Sequence, residues 1–285
     1  VVDVVGVHGV GLSRKPIQVW SRWREALDQG LAANVAGEPP LIDFQLAWYR
    51  RLFLGPHAPG QLKGPLDTED APISKAEAEF LAEVTREHAA AEGIPIRDLE
   101  RQWKGLVPAP LRPLVAVLAR RVDFDWAIGA VPVLRQVWRY LHDDVLAAQI
   151  RAVVAQAMGS GCHTLLTHSL GSVVAYETLA FTGPPGTVWP GTMVTMGSPL
   201  SLKAVRDRLR ARPPRPALTW VNIYDPGDPV VAACGLSQDF PVVREHRVDN
   251  GRRPHSVRRY LASPKTGAAV LEGVRPLQPA AGDPR

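Results

Sequence analysis

Cysteine is nearly missing from this chain: only Cys162 and Cys234 occur in 285 residues. Two thiols cannot build a disulfide framework, and a chain that is 46% hydrophobic can bury a core without one. Both are expected as reduced, buried thiols. Long apolar runs are missing too, none approaching the roughly 18–20 residues that span a bilayer. No leader pattern precedes the first apolar stretch, so a cytoplasmic protein is expected. There is no internal repeat. His57, His88, His142 and His163 have no partners at metal-ligand spacing, so neither a metal nor a cofactor is expected. One-signed charge is scarce: 33 Lys and Arg stand against 28 Asp and Glu, a net charge of +5. The arginine pairs Arg50-Arg51, Arg120-Arg121, Arg252-Arg253 and Arg258-Arg259 are scattered, with no zinc-finger or basic-helix pattern. Nucleic acid is therefore not an expected partner. A weak peripheral attraction to anionic lipid or acidic partners remains open.

What is present is a pattern of apolar runs alternating with helical stripes. Val1–Val7 reads as a buried strand that runs into the glycine turn His8-Gly9-Val10-Gly11. A helix is expected from Pro16, with Trp20, Trp23, Leu27 and Leu31 along it, then a second strand over Leu41–Tyr49. Residues 50–142 look helical throughout. Ser74-Lys75-Ala76-Glu77 has the form of a capping box, and Gly93 ends that helix. The alternation then resumes. A helix is expected over Val145–Met158, a strand over His163–Thr167, a helix over Leu170–Phe181 and a strand over Thr192–Met196. A helix over Leu202–Leu209 follows, then strands over Leu218–Tyr224 and His246–Val248. The last helices are expected from Ser256 to about Leu261 and over Gly267–Leu271. This order predicts an α/β fold: a mainly parallel sheet with helices on both faces. Residues 1–49 and 143–275 would form its core, 50–142 a helical cap inserted over the site, and 276–285 a frayed tail.

The chemistry centres on Leu165-Leu166-Thr167-His168-Ser169-Leu170-Gly171, where a strand runs through a serine into a helix. A serine hydroxyl attacks well only when a base takes its proton, and the base needs a third group to orient it. Candidate members follow in the order serine, aspartate, histidine. Asp225 and Asp228 lie just beyond one strand. His246 falls inside the last strand, and His255 follows a loop.

Thr167-His168-Ser169-Leu170-Gly171 resembles the Gly-x-Ser-x-Gly motif of the α/β-hydrolase superfamily, in its lipase and esterase branch. The likeness covers most of the chain outside residues 50–142. It departs at Thr167, where the family usually has glycine and a β-branched residue fits the turn less well. The resemblance implies an α/β-hydrolase fold with Ser169 as nucleophile. Asp228 is the preferred acid, since Asp228-Pro229-Val230 is similar to the family's acid loop, and Asp225 is the alternative, as a turn former. His255 is preferred over His246 as the base. His168 is expected to pack locally, its side chain turned away from Ser169. The oxyanion hole would use the N–H of Leu170 and that of Val10, with Gly9 as the next choice. Gly197-Ser198-Pro199 would line the pocket, with Ser198 either touching substrate or forming the turn.

The function this implies is a serine hydrolase cleaving an ester or thioester of a fairly apolar acyl group through an acyl-enzyme. The expected partner is a small acyl molecule. Acyl transfer or amide cleavage on the same triad is the alternative within enzymes. A binding protein on a hydrolase scaffold is the alternative outside them.

Overall fold

Two β-branched, apolar runs bounded by turn residues, one near the start of the chain and one before Ser169, become central strands of a sheet. The computed structural model describes residues 2–9, 15–54, 72–99, 107–159, 161–181, 189–210, 218–232 and 235–274. The first part of the chain holds β1 (Val2–Val7), α1 (Pro16–Ala32) and β2 (Phe44–Ala47). Next come α2 (Lys75–Glu92), α3 (Arg112–Leu118), α4 (Phe124–His142) and α5 (Asp144–Met158). Then β3 (Cys162–His168), α6 (Leu170–Ala180), β4 (Thr192–Met196), α7 (Lys203–Arg206) and β5 (Thr219–Tyr224) follow. The described chain ends with β6 (Val243–Arg247), α8 (Val257–Ala262) and α9 (Pro264–Val274).

The strands form one sheet in the order β2-β1-β3-β4-β5-β6, with every neighbouring pair parallel. Parallel pairing brings the C-terminal ends of all six strands to one edge. The chain leaves β1 for β2 on one side, then returns to lay β3 against the other side of β1. The crevice between the ends of β1 and β3 is thus a topological switch point, where open α/β sheets take their ligands.

Strand side chains alternate between two buried clusters. Val5, Val7, Leu165, Met193 and Trp220 face α2 to α6, while Val4, Leu166, Val194, Val221 and Ile223 face α1, α8 and α9. Helices therefore cover both faces. The helices of residues 50–142 share one continuous cluster with α5, α6 and the sheet. Close packing on the other face depends on glycine. A Cβ on Gly267 would meet Gly30 O at 1.9 Å, and one on Gly30 would meet Leu261 O at 2.4 Å.

Element boundaries depart from expectation at identifiable places. The expected strand Leu41–Tyr49 shrinks to β2, because β2 is an edge strand that pairs only with Val4–Val7, and Leu41 is 91% exposed. The last strand starts earlier than His246, at Val243, where Trp220 pairs with it. α7 is a single turn rather than Leu202–Leu209. α9 begins at Pro264, a residue suited to a first helical position, rather than at Gly267. The capping box before α2 is half made. Ser74 Oγ accepts from Glu77 N at 3.2 Å, but the Glu77 carboxylate accepts from Arg135 Nε at 2.5 Å instead of reaching back. No described helix is long and apolar enough to cross a membrane. Cys162 is buried, and burial pushes its thiol up to about 12. Cys234 and the tail 276–285 lie outside the described residues.

Candidate active site

β3 ends at His168, and the next residue turns the chain into α6. Ser169 holds φ 56° and ψ −131°, and it is the one non-glycine residue with positive φ among the described residues. That region costs a residue with a side chain about 1–3 kcal/mol and persists only where its surroundings enforce it. The surroundings here are backbone. Ser169 N donates to Met196 O at 3.0 Å, and Ser172 N donates to Ser169 O at 2.9 Å. A Cβ on Gly171 would lie 2.1 Å from Val7 O, and one on Gly9 would lie 2.7 Å from Ser169 Cβ. These two glycines let the ends of β1 and β3 touch at the switch point. Thr167, where a β-branched residue was expected to fit less well, is fully buried at the end of β3. Its hydroxyl lies 3.1 Å from both Val194 O and Ser172 Oγ, tying the strand end to β4 and α6.

The loop after β5 carries both candidate carboxylates, and they do different things. Asp225 accepts from Gly227 N at 2.7 Å and from Asn250 N at 2.6 Å, so it fixes the loops after β5 and β6. Burial raises its pKa, against those two donors. Asp228 is fully buried and accepts from Val230 N at 2.9 Å. It also meets His255 Nδ1 at 2.8 and 2.9 Å. His255 Nε2 in turn lies 3.0 Å from Ser169 Oγ. Donation from Nδ1–H to the carboxylate leaves Nε2 as an acceptor facing the serine hydroxyl. His246 stands inside β6, in register with Ile223, and burial lowers its pKa.

Tyr260 was not anticipated, and Gly197 and His168 take more specific places than expected. Tyr260, on α8, donates its hydroxyl to Asp228 Oδ2 at 2.9 Å and accepts from Asp225 N at 3.0 Å. Burial first, and the nearby Asp228 second, push its pKa well up, so it remains a donor. Gly197 holds φ 53°, and a Cβ there would lie 2.8 Å from Asp228 Oδ2 and 3.3 Å from His255 Nδ1. His168 packs against the candidate base instead of away from the site. Its ring centroid is 4.7 Å from that of His255 and 5.8 Å from that of Tyr260. Strand alternation turns His168 toward the face that α8 covers, which is where the His255 loop descends. Burial holds its pKa well below the usual histidine value, with His255 adding to the effect. No motif signals Tyr260, although it follows His255 by five residues. Ser198 forms the turn: its Oγ accepts from Leu200 N at 3.3 Å.

On the other side of the serine, the Leu170 N–H belongs to the first turn of α6, whose donors have no i−4 carbonyl within the helix. Val10 lies outside the described residues, and Gly9 is the last residue described before it. His8 donates from Nδ1 to Gly9 O, and its own carbonyl accepts from the Tyr49 hydroxyl. Its ring stacks on Tyr49 at 4.3 Å. Burial lowers the His8 pKa to about 4, so the ring is neutral near pH 7. A cavity of 520 Å³ opens here, walled by His8, Gly9, His168, His255, Trp23 of α1 and Trp126 of α4. Among the described residues no three His, Cys, Asp or Glu side chains are gathered to hold a metal ion. No protein-family model, curated protein or solved structure matches the chain.

Proposed function

We propose that this chain is a serine hydrolase with an α/β-hydrolase fold and a helical cap. Its substrate would be a carboxylic ester or thioester of a fairly apolar acyl group. The observation that carries this reading is the unbroken hydrogen-bond chain from buried Asp228 through His255 to Ser169 Oγ, at a serine held in strained backbone. The order serine, aspartate, histidine is that of the superfamily, and each residue follows the end of a parallel strand.

Ser169 Oγ attacks the carbonyl carbon as its proton passes to His255 Nε2. Asp228 stabilises the imidazolium, and Tyr260 holds Asp228 in place. The carbonyl oxygen takes the negative charge and meets the N–H of Leu170 and an N–H of the turn at Gly9-Val10. Collapse breaks the bond to the leaving group, which takes the proton from His255. Water, deprotonated by His255, then releases the acid from the acyl-enzyme.

The test is intact-mass analysis after treatment with a fluorophosphonate probe. One adduct on the wild-type protein and none on Ser169→Ala is the expected result. No adduct on folded wild-type protein would leave the binding-protein alternative standing. His255→Ala should lower kcat toward a nitrophenyl ester at least about 10⁴-fold, while His246→Ala changes it little. The reverse outcome would reassign the base. Adding an alcohol acceptor and comparing a nitroanilide with the nitrophenyl ester separates hydrolysis from acyl transfer and amide cleavage.

A further inference from the structure

Several arginines of this fold find carboxylates, while Arg112, Arg139 and Arg259 reach backbone carbonyls instead. Arg24 pairs with Asp28, Arg121 with Glu92, Arg135 with Glu77, Arg151 with Glu177, and Arg208 with Glu83, all within 3.1 Å. The cavity lined by His255, whose Nε2 lies 3.0 Å from Ser169 Oγ, gathers arginines with little carboxylate around them. Its rim carries Arg22 from α1, Arg253 from the loop before His255, and Arg258 from α8. None of its described lining residues is an Asp or Glu. Arg22 and Arg253 have no ion pair among the described residues. Arg258 reaches only the exposed Glu25, at 3.6 Å. His8 and His168 in the lining add nothing to this charge, because burial holds both neutral near pH 7. Two guanidinium groups without a counter-charge, beside a third held only at the edge of ion-pair range, raise the local potential. A bound anion offsets that potential, and a planar guanidinium suits a carboxylate or phosphate. The same cavity is lined by Val19, Trp23 and Trp126, apolar surface that suits a hydrocarbon segment.

We infer that the substrate of this site is an anionic ester. An apolar segment lies on Trp23 and Trp126, and a carboxylate or phosphate at its far end meets Arg22, Arg253 and Arg258. The inference rests on the hydrolase reading for the ester, but the anion site itself does not depend on catalysis.

Binding is therefore measured first on Ser169→Ala protein, by calorimetry, with 5-phenylvalerate, its methyl ester, and 3-phenylpropyl phosphate. At low salt the acids should bind at least about tenfold more tightly than the neutral ester, and added salt should erode that advantage. The tighter of the two acids names the anion. Arg22→Gln and Arg253→Gln should each weaken acid binding about threefold, the yield of one exposed ion pair, with Arg→Lys keeping part of it. Turnover by wild-type protein should favour nitrophenyl hydrogen glutarate over nitrophenyl valerate by a similar factor, and that ratio should fall in both Gln variants. Equal affinity for acid and ester, or a preference untouched by the arginine changes, overturns the inference. A protein that takes the fluorophosphonate at Ser169 but shows no anion preference loses only this inference. One that binds the acids yet never labels loses only the hydrolase reading.

Discussion

Ser169 bears a backbone conformation that alanine would share and glycine would not resist. At φ 56° and ψ −131°, every side chain pays for the turn while glycine adopts it freely. Ser169→Gly should therefore be more stable than Ser169→Ala by about 1–2 kcal/mol, read from urea unfolding, although both lack the hydroxyl. Equal stabilities would mean the turn is unstrained. The same scale shows what the sequence makes legible. Ser169, Asp228 and His255 can be found because each follows a strand, and a parallel sheet aligns whatever follows its strands. Asp225 and Asp228 separate less easily, since both sit in one loop and only the docking of Asn250 against Asp225 decides their roles. Tyr260 and His168 are invisible to such reasoning. Their places depend on how α8 settles on the sheet, and no residue pattern encodes that.

At the scale of elements, the helices of residues 50–142 are tied to the sheet by a buried carboxylate. Glu177 of α6 is fully buried and accepts from Tyr140 Oη of α4 at 2.8 Å and Arg151 Nη1 of α5 at 3.1 Å. It also accepts from Arg210 N, beyond α7, at 2.8 Å. Four segments thus meet on one side chain. Removing it leaves the half-buried Arg151 without its carboxylate and the buried Tyr140 hydroxyl without an acceptor, while Arg210 keeps Asp144, so Glu177→Ala should cost about 2–3 kcal/mol in chemical unfolding. A loss under about 1 kcal/mol would show that the network only decorates the packing. From the sequence α6 reads as a plain apolar helix, and a lone glutamate within it gives no sign of being a junction. The helical character of 50–142 is legible from its stripes and its Ser74 cap. That these helices share the core cluster of the sheet is not, because amphipathic periodicity states that a face is buried and not against what.

At the scale of the whole molecule, stability should depend on pH through histidines that the fold keeps neutral. Burial lowers His8 to about 4 and His88 to about 3, with Arg121 adding to the latter, and holds His168 well down. In the unfolded chain each titrates near the ordinary histidine value of 6.5. Between that value and about 4 the unfolded chain binds more protons than the folded one. Stability therefore falls as pH drops through this window, by up to about 1.4 kcal/mol per pH unit for each histidine. Urea midpoints measured from pH 7.5 to 4.5 should fall steeply, and His88→Gln should flatten the slope. A flat profile would refute burial of neutral imidazoles. The site also carries a consequence for the chain before it is finished. The bond from His255 to Ser169 joins residues 86 apart in sequence, and the one to Asp228 joins residues 27 apart. Contacts that distant form only once the intervening strands have docked. A chain caught part-way, with helices made and the sheet still open, therefore holds a serine with no base beside it. On the proposed hydrolase reading, reactivity arrives only with the completed fold.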